Sequence, residues 1–182
     1  RSYPSRTLDI GIRDYAPGSE VVVNGLVYRS AGVTLNWQRP ADDAQAREVQ
    51  SLRTFWTCPS CGAADCSPVA PDFCPSCRDE LPAEARRRFL EPTGFIVDMA
   101  EKPHADTDQV RYVEPEPEQI VARNTAWQDL VAPHLGRMRA SADGLVFFSS
   151  RGVGHKGYRV CLECGRAEPV SGVPNGAKPL ED

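Results

Sequence analysis

Trp56-Thr57-Cys58-Pro59-Ser60-Cys61-Gly62 and Phe73-Cys74-Pro75-Ser76-Cys77 decide the reading of this 182-residue chain. Cys-Pro-Ser-Cys occurs twice, with twelve residues between Cys61 and Cys74. A Cys-x-x-Cys turn places two sulfurs on one side of an ion, and amides of the turn donate to the thiolates and relieve their charge. Zinc takes four ligands in a tetrahedron, with sulfur at about 2.3 Å. The spacing predicts a zinc ribbon, two knuckles meeting across a small hairpin, with Cys58, Cys61, Cys74 and Cys77 as ligands. Iron in the same four sulfurs stays open on ligand type alone. A pair of redox dithiols is the lesser reading, because no thioredoxin-like βαβ pattern surrounds these residues. Gly62 and Gly165, each directly after a knuckle, admit the positive φ such turns need.

The chain has seven cysteines, and the remaining three are Cys66, Cys161 and Cys164. Cys161 and Cys164 make half a site, since two thiolates rarely hold structural zinc alone. His155 is the nearest further donor. The preferred expectation is that the missing ligands lie beyond Asp182, because the chain starts at Arg1 and trails off in Lys178–Asp182 like an excised piece of something longer. Cys66 reads as a small buried residue, with a swapped ligand or a partner for the later pair as the sharper alternative. Short pairs chelate soft metals well and staple long loops poorly, so the expected compartment is reducing and cytoplasmic.

Working outward, hydrophobic residues are 41% and charged residues 25%, a globular composition. The longest apolar runs, such as Gly144–Phe148, are far too short for a membrane helix. Sixteen Pro and fourteen Gly argue for short elements joined by many turns. Net charge is −4, so the chain is no polycation built to coat nucleic acid.

Residues 1–53 read as a β-rich N-terminal part. Val21–Val23 and Leu26–Arg29 flank Asn24-Gly25, a strong hairpin signal because both turn residues tolerate positive φ. Ala41–Leu52 is the best helix before the metal site. Residues 54–80 are the ribbon, and 81–182 a second β-rich part ending in the Cys161/Cys164 knuckle. Within it, Pro82–Leu90 reads as a short helix or turn, Gly94–Val97 as a strand and 100–119 as a Pro- and acid-rich loop. Thr125–Leu135 reads as a short helix with Trp127, Leu130 and Val131 on one side. Strands are expected at Leu145–Ser149 and Tyr158–Cys161. The fold class is mostly β with short helices, a small α+β chain.

Catalytic patterns are weak. Gly152-Val153-Gly154-His155-Lys156-Gly157 lacks phosphate-loop spacing. There is no His-Glu-x-x-His and no Gly-x-Ser-x-Gly, and a four-thiolate ion has no open position for water. Glu114, Glu116 and Glu118 read as a solvated edge. Arg86-Arg87-Arg88 is the densest basic run. It reads either as a solvated face or as a phosphate-contacting patch with Phe89 or Trp56 stacking beside it.

Several islands together resemble the region downstream of the motor in large bacterial DEAD/DEAH-box superfamily 2 helicases. They are Tyr15-Ala16-Pro17-Gly18, Val22–Gly25, Tyr28-Arg29-Ser30-Ala31-Gly32-Val33, the Trp56–Gly62 knuckle, Pro92-Thr93-Gly94-Phe95 and Gly157–Ala167. The resemblance extends to helicase-associated subunits with a C-terminal zinc-binding region, some in DNA repair and some in phage defence. It implies a zinc ribbon inserted in a β-rich accessory domain, non-catalytic in itself, that supports the motor and positions DNA or a partner subunit. No ATPase motif is present, so no ATP hydrolysis is expected. A zinc-ribbon module acting through protein contacts alone is the alternative. A small metalloenzyme is a distant third, for lack of an open site.

Overall fold

The computed structural model describes residues 5–35, 50–123 and 125–170. In chain order the elements are α1 (Leu8–Asp14), β1 (Glu20–Val23), β2 (Leu26–Val33), β3 (Arg53–Thr57), β4 (Ala64–Ser67), β5 (Arg86–Phe89), β6 (Phe95–Val97), β7 (Gln119–Val121), β8 (Gln128–Asp129), β9 (Arg137–Met138), β10 (Leu145–Phe147), β11 (Tyr158–Val160) and β12 (Ala167–Pro169). Among the described residues the protein is mostly β, with one short helix and several small antiparallel sheets. Among the described residues no helix is long and apolar enough to cross a membrane. The chain divides into two compact units, one of residues 1–50, 92–117 and 148–182, the other of residues 51–91 and 118–147.

In the first unit β1, β2 and β6 form one sheet, with β2 central. The β1–β2 hairpin turns at Asn24 (φ 53°) and Gly25 (φ 77°), where the Asn-Gly pair predicts it. Val27, Val33, Ala16 and Val113 fill the core. Two serines are buried with them and both are satisfied: Ser30 Oγ donates to Tyr15 O at 2.7 Å, and Val113 N donates to Ser19 Oγ at 3.0 Å. That satisfaction matters, because an unpaired buried hydroxyl costs about 1–3 kcal/mol.

The N-terminal segment is not all strand as expected. Leu8–Asp14 is helical, with Asp9 in its first turn and Arg13 in its last, charges placed to favour the helix dipole. Gly11 hides this from a propensity reading, and it lies close under a side chain distant in sequence. A Cβ there would lie 3.1 Å from the Phe95 ring. Residues 41–49 of the expected Ala41–Leu52 helix lie outside the described residues. Folded structure also continues past the last cysteine pair, since β12 pairs back onto β11.

In the second unit β4, β3 and β5 form a sheet with β3 central, while β7 pairs with β10 and β8 with β9. Phe55 is buried and stacks on Phe147 at 4.1 Å, and Phe89 meets the same ring edge-on at 5.0 Å. The expected helix over 125–135 is absent. Gln128–Asp129 pairs with Arg137–Met138, and only Pro133–Leu135 makes a single 3-10 turn. Pro133 has no N–H for a continuing helix, and β-branched Val131 adds little helical preference. Of Pro82–Leu90, only Ala83–Ala85 turns, and Arg86–Phe89 is strand.

Candidate metal centre

β3 delivers Cys58, and the chain then folds back on itself. Cys58 N donates to Ala63 O at 2.7 Å, and Gly62 N donates to Cys58 O at 2.9 Å, with Gly62 at φ 71°. Ala63 N donates to Cys61 Sγ at 3.4 Å. The second knuckle repeats the frame. Cys74 N donates to Asp79 O at 2.7 Å and Arg78 N to Cys74 O at 2.8 Å, with Arg78 at φ 69°.

The two knuckles bring Cys58, Cys61, Cys74 and Cys77 together, with all four sulfurs within 4.8 Å of one another. Cys58–Cys77 and Cys61–Cys74 are each 3.6 Å apart. A tetrahedron with bonds of about 2.3 Å has edges of roughly 3.8 Å, so the sulfurs already stand at metal-ligand spacing. Trp56, Ala63 and Leu81 are buried around them, which leaves a small, apolar, four-thiol pocket. These four residues can hold a metal ion, and the sulfurs would fill all four of its positions.

Before any ion binds, the thiols differ sharply. Burial pushes Cys58 up, but amide bonds from Cys61 and Ser60 and the thiols of Cys77 and Cys61 outweigh it and bring it down to about 7. For Cys77 a backbone bond at Asp79 works downward, but burial and the facing thiols of Cys58, Cys61 and Cys74 carry it up to about 12. Burial raises Cys74 as well. Crowded thiols share protons because thiolates this close repel.

Arginines brace the ribbon. Arg86 donates twice to the buried Leu81 carbonyl, from Nε at 2.9 Å and Nη2 at 2.6 Å, and pairs with Asp72 at 3.2 Å. Arg137 Nη2 donates to Cys61 O at 3.0 Å, and the Arg137 guanidinium carbon lies 4.6 Å from the centre of the Trp127 ring, with that of Arg139 at 5.0 Å. Sequence reasoning missed Trp127, Arg137 and Arg139 as a group. Their signal was the period-2 spacing of Arg137 and Arg139, masked by reading the preceding residues as helix.

The three consecutive arginines do not form one patch. The β3–β5 register sets Arg87 opposite Phe55, and Arg86 and Arg88 opposite Trp56 and Thr54. Successive strand residues face opposite ways. Arg87 and Arg88 are exposed and have no ion pair among the described residues. Arg88 borders a shallow groove of about 500 Å³ lined with Thr54, Val69, Leu81 and Arg86. Trp56 is 6% exposed and cannot stack on a ligand, and Phe89 is occupied by Phe147 and Arg53.

Cys66 sits half-buried in β4, outside the cluster, and accepts from Arg123 Nη2 at 3.2 Å while Arg123 Nε binds Asp65 at 2.6 Å. Cys161 and Cys164 lie in the other unit. No group of three metal-ligating residues forms around them among the described residues. His155 Nδ1 is 2.9 Å from Glu116 Oε1, and Arg151 is 3.6 Å from the same oxygen. Glu116 is thus a largely buried pairing partner rather than a solvated edge. Neither protein-family models, nor curated proteins, nor solved structures gave a match to this chain.

Proposed function

We propose that this chain is a non-catalytic zinc-binding accessory module of a cytoplasmic DNA helicase, which steadies the motor and helps position DNA or a partner subunit. One observation carries the metal half of this reading. Four thiols, three of them buried and Cys77 half-buried, stand within 4.8 Å of one another with no carboxylate, imidazole or amine among them. All-thiolate closure suits a structural zinc and leaves no place for a substrate. The helicase half draws on the sequence islands that resemble such accessory regions. The DNA contact would fall to the exposed Arg87 and Arg88, one on each face of β5, since Arg86 is committed to Leu81 and Asp72.

The test is a mobility shift of the zinc-loaded chain with single-stranded and duplex DNA at two salt concentrations. Binding that weakens with salt is expected, and Arg87→Ala with Arg88→Ala should lower the salt slope by at most about 0.9 per lost duplex phosphate contact. Unchanged affinity and slope in that double variant would remove these arginines as DNA contacts. No binding at all would leave the module to act through protein contacts, the reading favoured by exposed Val131 and Leu135 in the β8–β9 turn.

A further inference from the structure

The third Cys-x-x-Cys turn is built like the other two. Cys161 N donates to Arg166 O at 2.8 Å, Gly165 N donates to Cys161 O at 2.9 Å, and Gly165 has φ 81°. Position for position, this is the frame of Cys58–Ala63 and Cys74–Asp79, where the knuckles hold two converging sulfurs each. The turn is also fixed in place. Val33 N donates to Gly165 O at 2.8 Å, Gly32 bridges Arg166, and β12 pairs with β11 directly after the turn. A Cβ on Gly165 would stand 2.1 Å from Val33 O, so the close approach admits glycine alone. Cys161 is half-buried and Cys164 exposed, so the pair faces solvent.

We propose that Cys161 and Cys164 are the preformed half of a second metal site. It takes a thiophilic divalent ion of the zinc class, completed by two thiolates or imidazoles from outside these 182 residues. The chain has seven Cys and three His, all within the described residues, and none of the others joins this pair in a cluster. His155 is held by Glu116. Two thiolates satisfy half of a tetrahedral ion, and the solvent-facing turn leaves the other half accessible. The missing pair comes either from a second copy, whose own Cys161 and Cys164 would close a four-thiolate shell, or from other polypeptide sequence, joined to this chain or separate from it. This inference is independent of any contact with DNA.

The test titrates the reduced, metal-stripped full chain with Cd²⁺ alone, following the thiolate-to-metal ultraviolet band. A first phase of one ion per chain reports the ribbon, and a second, weaker phase is expected after it. The variant with Cys161→Ser and Cys164→Ser should keep the first phase, which also shows that it is folded, and lose the second. Sedimentation separates the sources. Dimerisation in the second phase, at one ion per two chains, assigns the missing ligands to a second copy. A chain that stays monomeric, with a second phase strengthened at least tenfold by a short Cys-x-x-Cys peptide, assigns them to another polypeptide. A double variant that titrates like the parent chain overturns the proposal. So does a monomer whose second phase the peptide leaves unchanged, or a Cys161–Cys164 disulfide that forms equally fast with and without Cd²⁺.

Discussion

Gly165→Ala and Gly62→Ala place the same methyl group at equivalent points of two knuckles, and the surroundings predict very different costs. Both glycines have positive φ, 81° and 71°, so each alanine carries the left-handed penalty of about 1–2 kcal/mol. For Gly62 little is added, because the new Cβ meets only the Trp127 ring at 3.9 Å, an ordinary contact. For Gly165 the Cβ would stand 2.1 Å from Val33 O, and the obstacle is backbone on a paired strand that no rotamer change can clear. The knuckle must lift from β2. That breaks the Val33 N–Gly165 O bond, worth about 1 kcal/mol, and adds overpacking of about 1–3 kcal/mol. The expected total is about 4 kcal/mol for Gly165→Ala and about 1–2 kcal/mol for Gly62→Ala. The first approaches the whole stability of a small unit, ~5 kcal/mol at the low end. Amide hydrogen exchange reads each locally, at Val33 for the first variant and Cys58 for the second. Equal losses of protection, within about 0.5 kcal/mol, would refute the claim that the third knuckle is seated on β2.

Three further outcomes are expected. Cys74→Ser should abolish tight metal retention and unfold the ribbon, whereas Cys66→Ser leaves the metal content at one ion per ribbon; equal metal loss by elemental analysis would contradict the ligand assignment. In the metal-free chain Cys58 lies below its ordinary 9.0, so its stabilising contribution is full above about 9 and is lost as pH falls through about 7, while the raised Cys77 contributes below about 9 and loses that as pH rises through about 12. Urea midpoints of the metal-free chain should therefore fall between pH 9 and 7, and a flat profile there refutes the assigned asymmetry. Phe147→Ala strips the partner from both Phe55 and Phe89, and should cost about 3 kcal/mol by chemical denaturation, the low end for a phenylalanine because this ring is only half-buried; a loss below about 1 kcal/mol would show that Phe55 repacks without it.

What the sequence made legible was local. The ribbon ligands and the Asn24-Gly25 hairpin follow from chemistry contained in a few adjacent residues. The strands at 95–97, 145–147 and 158–160 were visible as short apolar runs. What escaped depends on partners distant in sequence. Gly11 conceals a helix until Phe95 is known to press on it, and Thr125–Leu135 has helical apolar spacing that Pro133 and pairing with Arg137–Met138 override. Arg86, Arg87 and Arg88 look alike as letters. Strand alternation and the Leu81 carbonyl make the first a brace and leave the other two exposed. Pairing of Glu116 with His155 and Arg151 has no signal in composition, because those residues lie far along the chain.

The way the four-cysteine unit is threaded sets an order in time. Its ribbon, from Arg53 to Phe89, closes its own sheet and assembles all four thiols within one continuous stretch. Phe147, which covers Phe55, comes from the second segment of the unit, after the chain has served the other unit through residues 92–117. Contacts between near neighbours form faster than those that must close long loops. A chain emerging from the ribosome therefore has all four ribbon cysteines made while the cover for Phe55 is still unmade. Until residues 118–147 arrive, that aromatic face is bare and the Cys61 carbonyl lacks its Arg137 brace, although all four thiols already stand in one continuous stretch.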